Sequence, residues 1–200
     1  MCSSDLQLEN NQILSREDFA ILLDSRNDET AKYLYERAGA VKHHIYGHHV
    51  YMRGLIEFTN YCRNDCYYCG IRKSNRRAQR YRLTNNQILE CCQAGYDLGL
   101  RTFVLQGGED PYYTDEKIIA IVRSIKKYYP DCAVTLSVGE KDYASYQAYF
   151  DAGADRYLLR HETANQEHYA KLHPPGLSLD NRKQCLFNLK EIGYQVGCGF

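Results

Sequence analysis

Three cysteines stand in one short run, Cys62-Arg63-Asn64-Asp65-Cys66-Tyr67-Tyr68-Cys69. Thiolates are soft donors that select zinc, copper(I) or iron–sulfur clusters. A structural zinc site takes four protein ligands, often as paired C-x-x-C units, and the sequence holds no second C-x-x-C. An iron–sulfur cube is held by four cysteines. With only three close together, one iron is left without a cysteine and stays open to a substrate or cofactor. The alternative is a zinc knuckle completed by His43, His44, His48 or His49. Those histidines precede the first expected strand while the cysteines follow it, which sets the two groups at opposite ends of that strand.

A second set of polar residues recurs wherever an apolar run ends. Gln106-Gly107-Gly108-Glu109-Asp110 follows one such run, Ser137 closes another ahead of Gly139 and Glu140, and Arg160-His161-Glu162-Thr163 follows Tyr157-Leu158-Leu159. Glycines let backbone approach a ligand closely, and Glu109 suits an ammonium. The plainer reading of Gly-Gly-Glu is a strand-to-helix turn. Isolated charges such as Arg160, Glu162 and Arg182 are most often solvated or paired. In this position a carboxylate can accept from neighbouring hydroxyls, and a guanidinium can hold a carboxylate with two hydrogen bonds. Arg182 also lies near the start of a helix, where the dipole favours an anion.

The elements that must position these residues follow from periodicity and caps. The first 47 residues read as a helical segment, with one helix from the Ser15-Arg16-Glu17-Asp18 start and another over residues 30–38 stopped by Gly39. Strands are expected over residues 50–58, 102–106, 133–137, 156–159 and 194–200. Helices are expected over 84–98, opened by the Thr84-to-Gln87 capping box, and over 114–129, 142–152 and 178–192. Strand alternating with helix predicts a parallel sheet with helical crossovers. Residues 48–200 then form part of a parallel (β/α) TIM-type barrel, in which every strand end carrying a polar group faces one side. The chain stops inside an apolar strand, and a complete barrel takes roughly 250 residues, so the expectation is a barrel truncated to about its first five strands.

Composition narrows the classes. With 44% apolar residues in 200, the chain can fill a core, and its 25 basic residues balance 25 acidic ones, which argues against a general nucleic-acid binder. A mean hydropathy of -0.58 and no long apolar run argue against a membrane span. The polar start has no export signal, so a reducing cytoplasm is expected, where the odd total of 9 cysteines stays as thiols. Cys91, Cys92, Cys132 and Cys185 read as small buried hydrophobes.

The spacing C-x3-C-x2-C with an aromatic before the last cysteine resembles the radical S-adenosylmethionine (SAM) superfamily. The resemblance implies that Cys62, Cys66 and Cys69 hold a 4Fe-4S cluster whose fourth iron is chelated by SAM, with Tyr68 beside the adenine. It implies that Gly107, Gly108 and Glu109 form the element binding the methionine amino group. Within the superfamily the chain is most similar to the HydE group of FeFe-hydrogenase maturases. The shared runs are Phe58 through Gly70, Tyr81-Arg82-Leu83-Thr84, Val104 through Tyr113, Thr135 through Glu140 and Ala154 through Asn165. That likeness implies SAM contacts at Ser137, Glu162 and Arg182, with Glu162 on the ribose and Arg182 on the methionine carboxylate; Arg160 is expected beside them because it follows the apolar run Tyr157-Leu158-Leu159. It further implies an organometallic substrate, an iron–cysteine complex with CO and cyanide ligands passed on by a partner maturase, and an electron donor. Biotin synthase and methylornithine synthase share the loop and barrel, and the Arg160-His161-Glu162-Thr163 run argues for HydE over both. A non-catalytic iron–sulfur or zinc scaffold is the alternative from another class.

Overall fold

The computed structural model describes residue 8 and residues 13–200, so part of the expected helical segment, residues 1–7 and 9–12, lies outside the described residues. The chain divides into two compact units, Met1–Tyr51 and Met52–Phe200. In the first, α1 (Arg16–Asp24) begins where Ser15 caps the Asp18 amide, and α2 (Asp28–Tyr46) begins where Asn27 caps Thr30. The expected stop at Gly39 does not occur. A glycine inside a helix costs only about 1 kcal/mol relative to alanine, and α2 runs on to Gly47, whose φ of 58° no β-carbon opposes.

The second unit is a five-stranded parallel sheet in the order β1-β2-β3-β4-β5, made of Gly54–Thr59, Thr102–Gly107, Ala133–Ser137, Arg156–Leu158 and Gln195–Gly197. Crossovers pass through α3 (Asn85–Asp97), α4 (Asp115–Tyr128), α5 (Tyr143–Asp151), and the pair α6 (Gln166–Leu172) and α7 (Leu179–Ile192). The Thr84–Gln87 capping box is present, and α4 buries Ile118, Ile121, Val122 and Ile125 along one stripe. β1 starts at Gly54 rather than at Val50 because its pairing begins opposite Phe103, near the start of β2, leaving Val50, Tyr51 and Met52 exposed. The helix α6 was not anticipated; it is short and opens where the Asn165 side chain accepts from the His168 amide at 2.9 Å. Cys92, Cys132 and Cys185 are buried as expected, but Cys91 is exposed. Neighbouring helical residues point about 100° apart, so α3 can bury only one of the pair.

Register fixes what each face of the sheet carries. Ile56, Leu105, Leu136 and Tyr157 form one row across β1 to β4 and pack into the helix-covered core. One step along, Glu57, Gln106 and Ser137 form a row on the other face. The core is rich in tyrosine, and its hydroxyls find partners: Tyr157 donates to the Gly139 carbonyl at 2.8 Å and Tyr194 to that of Tyr146 at 2.8 Å. The first bond ties a core ring directly to the turn after β3.

The ends of β1 and β2 are locked by Asp110, whose side chain is 1% exposed. Arg82 donates to it through Nε at 2.7 Å and Nη2 at 2.9 Å, Thr59 through its hydroxyl at 2.7 Å, and Tyr112 through its amide at 3.0 Å. Burial pushes the Asp110 pKa up, but these four donors outweigh it and hold the carboxyl below its ordinary value. A depressed folded pKa gives stability that is present above the unfolded pKa of about 3.9 and lost as pH falls through the folded value. Asp110→Asn should therefore cost roughly 1.5–3 kcal/mol at neutral pH. In urea titrations of the full-length protein, the gap between wild type and variant should narrow as pH falls below about 4. An equal gap at pH 7 and pH 3 would refute the assignment.

Candidate metal and cofactor site

The cysteine loop leaves β1 at Thr59 and is shaped by its own backbone groups. The guanidinium of Arg80 collects carbonyls from both flanks of the loop: Ile71 at 2.8 Å, Arg72 at 2.7 Å, Asn75 at 3.1 Å, and Asn60. Asn60 binds back to the Gln79 carbonyl and the Tyr81 amide at 2.6 and 2.8 Å. Where the loop crosses the end of β2, the Arg63 amide donates to the Glu109 carbonyl at 2.9 Å. A Cβ on Gly108 would collide with the Tyr61 carbonyl oxygen and stand 2.7 Å from Cys62 Cβ. Only glycine lets the two segments meet.

Cys62, Cys66 and Cys69 are free thiols, all partly exposed. Burial pushes Cys66 up to about 11, and the neighbouring thiols Cys62 and Cys69 add to the rise; burial likewise raises Cys62. A cationic centre bound at the loop would offset the cost of burying charge and deprotonate the thiols that hold it. Among the described residues no three His, Cys, Asp or Glu side chains converge on a point that a single ion could occupy. A cube asks for no such convergence, since each thiolate takes a different iron. The histidines weighed for zinc are otherwise engaged in part: His43 and His48 pair through Nε2 atoms 2.7 Å apart.

Beside the loop lies a cavity of about 250 Å³ at the C-terminal edge of the sheet, lined by Tyr68, Gln106, Gly107, Ser137, Gly139, Leu158, Leu159, Arg160, Glu162 and Arg182. Six of the eight residues expected from sequence to bind the cofactor meet there: Tyr68, Gly107, Ser137, Arg160, Glu162 and Arg182. The Tyr68 hydroxyl lies 3.4 Å from Glu162 Oε1 and 3.5 Å from His173 Nε2. Burial, then the Glu162 carboxylate, push its pKa up. Glu162 is the one non-glycine among the described residues with positive φ, 62°. Its amide and that of His161 both donate to the Gly199 carbonyl, at 3.0 and 3.1 Å, which holds the strained turn.

Arg182 sits on α7 and is 9% exposed. Its Nη1 donates to the Arg160 carbonyl at 3.2 Å, and its Nε lies 2.6 Å from Glu140 Oε1 without hydrogen-bond alignment. Arg182 and Glu140 thus form a buried ion pair, with both side chains 11% exposed, and the Tyr169 side chain stands beside the guanidinium. Arg182 is the member of this cluster that lines the cavity, where a buried guanidinium suits a ligand carboxylate.

Gly108 and Glu109 do not line the cavity. Gly108 serves the loop crossing, and the Glu109 carboxylate is engaged by Arg63 Nε and Nη2, both at 3.0 Å, and by the Glu140 amide at 3.0 Å. Sequence reasoning did not assign Asp110, Glu140, Tyr169, His173 or Arg80. His173, 3% exposed, stacks on Tyr169 at 3.9 Å, and both belong to the unforeseen α6 and its end. The cap at Asn165 was the available signal.

Residues 56–200 match the model of the Radical SAM superfamily. The chain is 46% identical to the [FeFe] hydrogenase maturase subunit HydE of Thermotoga maritima over 166 residues, 83% of this chain and 47% of that protein. It is 33% identical to 3-methylornithine synthase of Methanosarcina acetivorans over 188 residues, 93% of this chain and 53% of that protein. The chain thus spans about half the length of these curated relatives. The crystal structure of methylornithine synthase matches with a TM-score of 0.87 at 30% identity, covering 99% of this chain and 58% of that one. That of the hydrogenase maturase HydG matches with a TM-score of 0.87 at 24% identity, covering 98% and 45%, a likeness of fold alone. These matches bear out the parallel (β/α) TIM-type barrel fold, and a 4Fe-4S cluster and SAM are the cofactors of the family. With its cysteine loop, its sheet and residues 56–200 all accounted for by one family, the chain belongs to the radical SAM superfamily.

Proposed function

We propose that this chain is the cluster- and SAM-binding part of a radical SAM enzyme, and that the enzyme is a HydE-like maturase acting in assembly of the FeFe-hydrogenase H-cluster. The observation that carries the reading is the cavity in which Tyr68, from within the cysteine loop, meets Glu162 and Arg182. Cys62, Cys66 and Cys69 would hold the cluster. When bound, it supplies the one electron that cleaves SAM to methionine and a 5′-deoxyadenosyl radical. The protein's own groups bind and orient. Glu162 accepts from the ribose hydroxyls, Arg182 takes the methionine carboxylate, and Tyr68 packs beside the adenine. Ser137, Gly107 and the Arg160 turn complete the wall. Gly108 and Glu109 support the element that approaches the methionine amino group. No side-chain base or nucleophile is needed for radical generation, so the work is positioning, electrostatics and exclusion of water.

Identity of 46% to HydE against 33% to a methylornithine synthase supports the maturase reading within the superfamily. So does the Arg160-His161-Glu162-Thr163 run at the cavity rim. By this reading the substrate is an organometallic iron complex, other maturases are its source and destination, and the setting is the cytoplasm. Among the described residues no helix is long and apolar enough to cross a membrane.

Two measurements on the full-length protein test the reading. After anaerobic reconstitution, iron and sulfide analysis should give one oxygen-sensitive 4Fe-4S cluster held by this loop. Cys66→Ala should lose that cluster and all 5′-deoxyadenosine formation, and tightly bound zinc without sulfide would sink the idea. Glu162→Gln keeps shape and removes charge. It should weaken SAM binding by about one to two decades, the equivalent of roughly 1.5–3 kcal/mol for a charge-assisted hydrogen bond, with little change in melting temperature. Unchanged affinity would remove Glu162 from the site.

A further inference from the structure

Beside the cavity just described, the cysteine loop borders a second space. Cys69 lines a shallow groove of about 570 Å³ together with Tyr68, Gly70, Arg72, Arg76 and Arg77. Tyr68 lines both spaces. The groove is strongly cationic although the chain as a whole is neutral. Residues 63–82 carry Arg63, Arg72, Lys73, Arg76, Arg77, Arg80 and Arg82 against a single acid, Asp65. The structure employs several of these cations internally: Arg63 on Glu109, Arg82 on Asp110, Arg80 on backbone carbonyls, and Arg72 on the Tyr67 carbonyl at 2.8 Å. Arg76 and Arg77 are exposed and make no ion pair among the described residues. Like charges crowded without counterions destabilise a fold, so this patch is costly unless it meets an anion.

We propose that this groove is the docking surface for an acidic, one-electron carrier protein, which delivers its electron at the Cys69 edge of the loop while SAM occupies the other cavity. The inference rests on the radical SAM reading, since that chemistry requires one electron from outside for each cleavage. The balance is simple: the carrier is oxidised by one electron, the centre held by the three thiolates is reduced by one, and no bond or proton is exchanged. Charge complementarity selects the partner. A patch of exposed arginines steers an oppositely charged protein and raises its on-rate by about 10–10³-fold, an effect that salt removes. The overall neutrality of the chain is poorly suited to a long polyanion, which a basic protein binds along an extended stripe.

The test uses Arg76→Glu with Arg77→Glu in the full-length holoprotein, and a reduced acidic ferredoxin as the probe. Calorimetry with the oxidised ferredoxin reads docking without turnover. Wild type should bind it, with affinity falling as salt rises from 50 to 300 mM, about one Debye length of 14 Å down to about 6 Å, and the double variant should bind at least tenfold more weakly at low salt. 5′-Deoxyadenosine formation should fall by a similar factor with ferredoxin yet remain unchanged with photoreduced deazariboflavin, a small uncharged reductant that needs no docking. Equal ferredoxin binding and equal rates in both proteins would overturn the proposal. So would loss of binding to a single-stranded RNA probe with ferredoxin kinetics untouched, which would make the patch a nucleic-acid surface. If wild type forms no 5′-deoxyadenosine even with deazariboflavin, the radical SAM reading fails first and takes this one with it.

Discussion

The backbone of Tyr61 and Cys62 crosses the end of β2 at Gly108 with no space for a β-carbon between them. This contact seats the cysteine loop on the sheet, and the surrounding interactions are arranged to keep it there. Asp110, two residues beyond, ties the end of β1 through Thr59 and the far side of the loop through Arg82. Arg80 closes the loop on itself by gathering carbonyls from its two flanks. A planar guanidinium with five donors can serve several acceptors at once, which a lysine cannot match. The thiols are thereby held by fixed backbone rather than by one another.

Every strand of the sheet runs the same way, so the turns after β1, β2, β3 and β4 arrive at a single edge. Polar groups that are scattered in sequence become neighbours there. The edge is also held from below: the buried Tyr157 ring reaches the Gly139 carbonyl, and Gly139 has no side chain because the Glu109 carboxylate occupies that space. Core packing, the turn after β3 and the carboxylate after β2 are one mechanical unit. Strain is confined to the edge as well, in the positive φ of Glu162, which aims that carboxylate into the cavity.

Charge is distributed unevenly around this edge. Arg182 is largely buried at the cavity wall and paired with Glu140, while Arg76 and Arg77 are exposed on the groove that Tyr68 also lines. A buried, pre-positioned cation is a device for holding a small charged ligand in a fixed pose. An exposed, flexible one acts on approach rather than on pose. The loop thus presents two electrostatic surfaces with different physical uses.

Much of this was legible from sequence wherever the deciding interactions are local. The Thr84–Gln87 box, the helix start at Ser15 and the apolar stripe of α4 are settled within three or four residues, and each of these elements forms where its residues predict. The Cys62–Cys66–Cys69 spacing is of the same kind, because one short loop must bring those thiols near each other. What sequence did not reveal depends on partners far along the chain. β1 starts late because its pairing with β2 begins only at Gly54, opposite Phe103. Gly39 does not end its helix, since a glycine stops a helix only where the chain has reason to turn. Which of Cys91 and Cys92 is buried depends on how α3 packs. Glu109 was read as free to receive an ammonium, but the fold delivers Arg63 to it from 46 residues away. Composition and spacing can say that a carboxylate stands after a strand; only the parallel sheet, by bringing separate turns to one edge, decides which cation meets it.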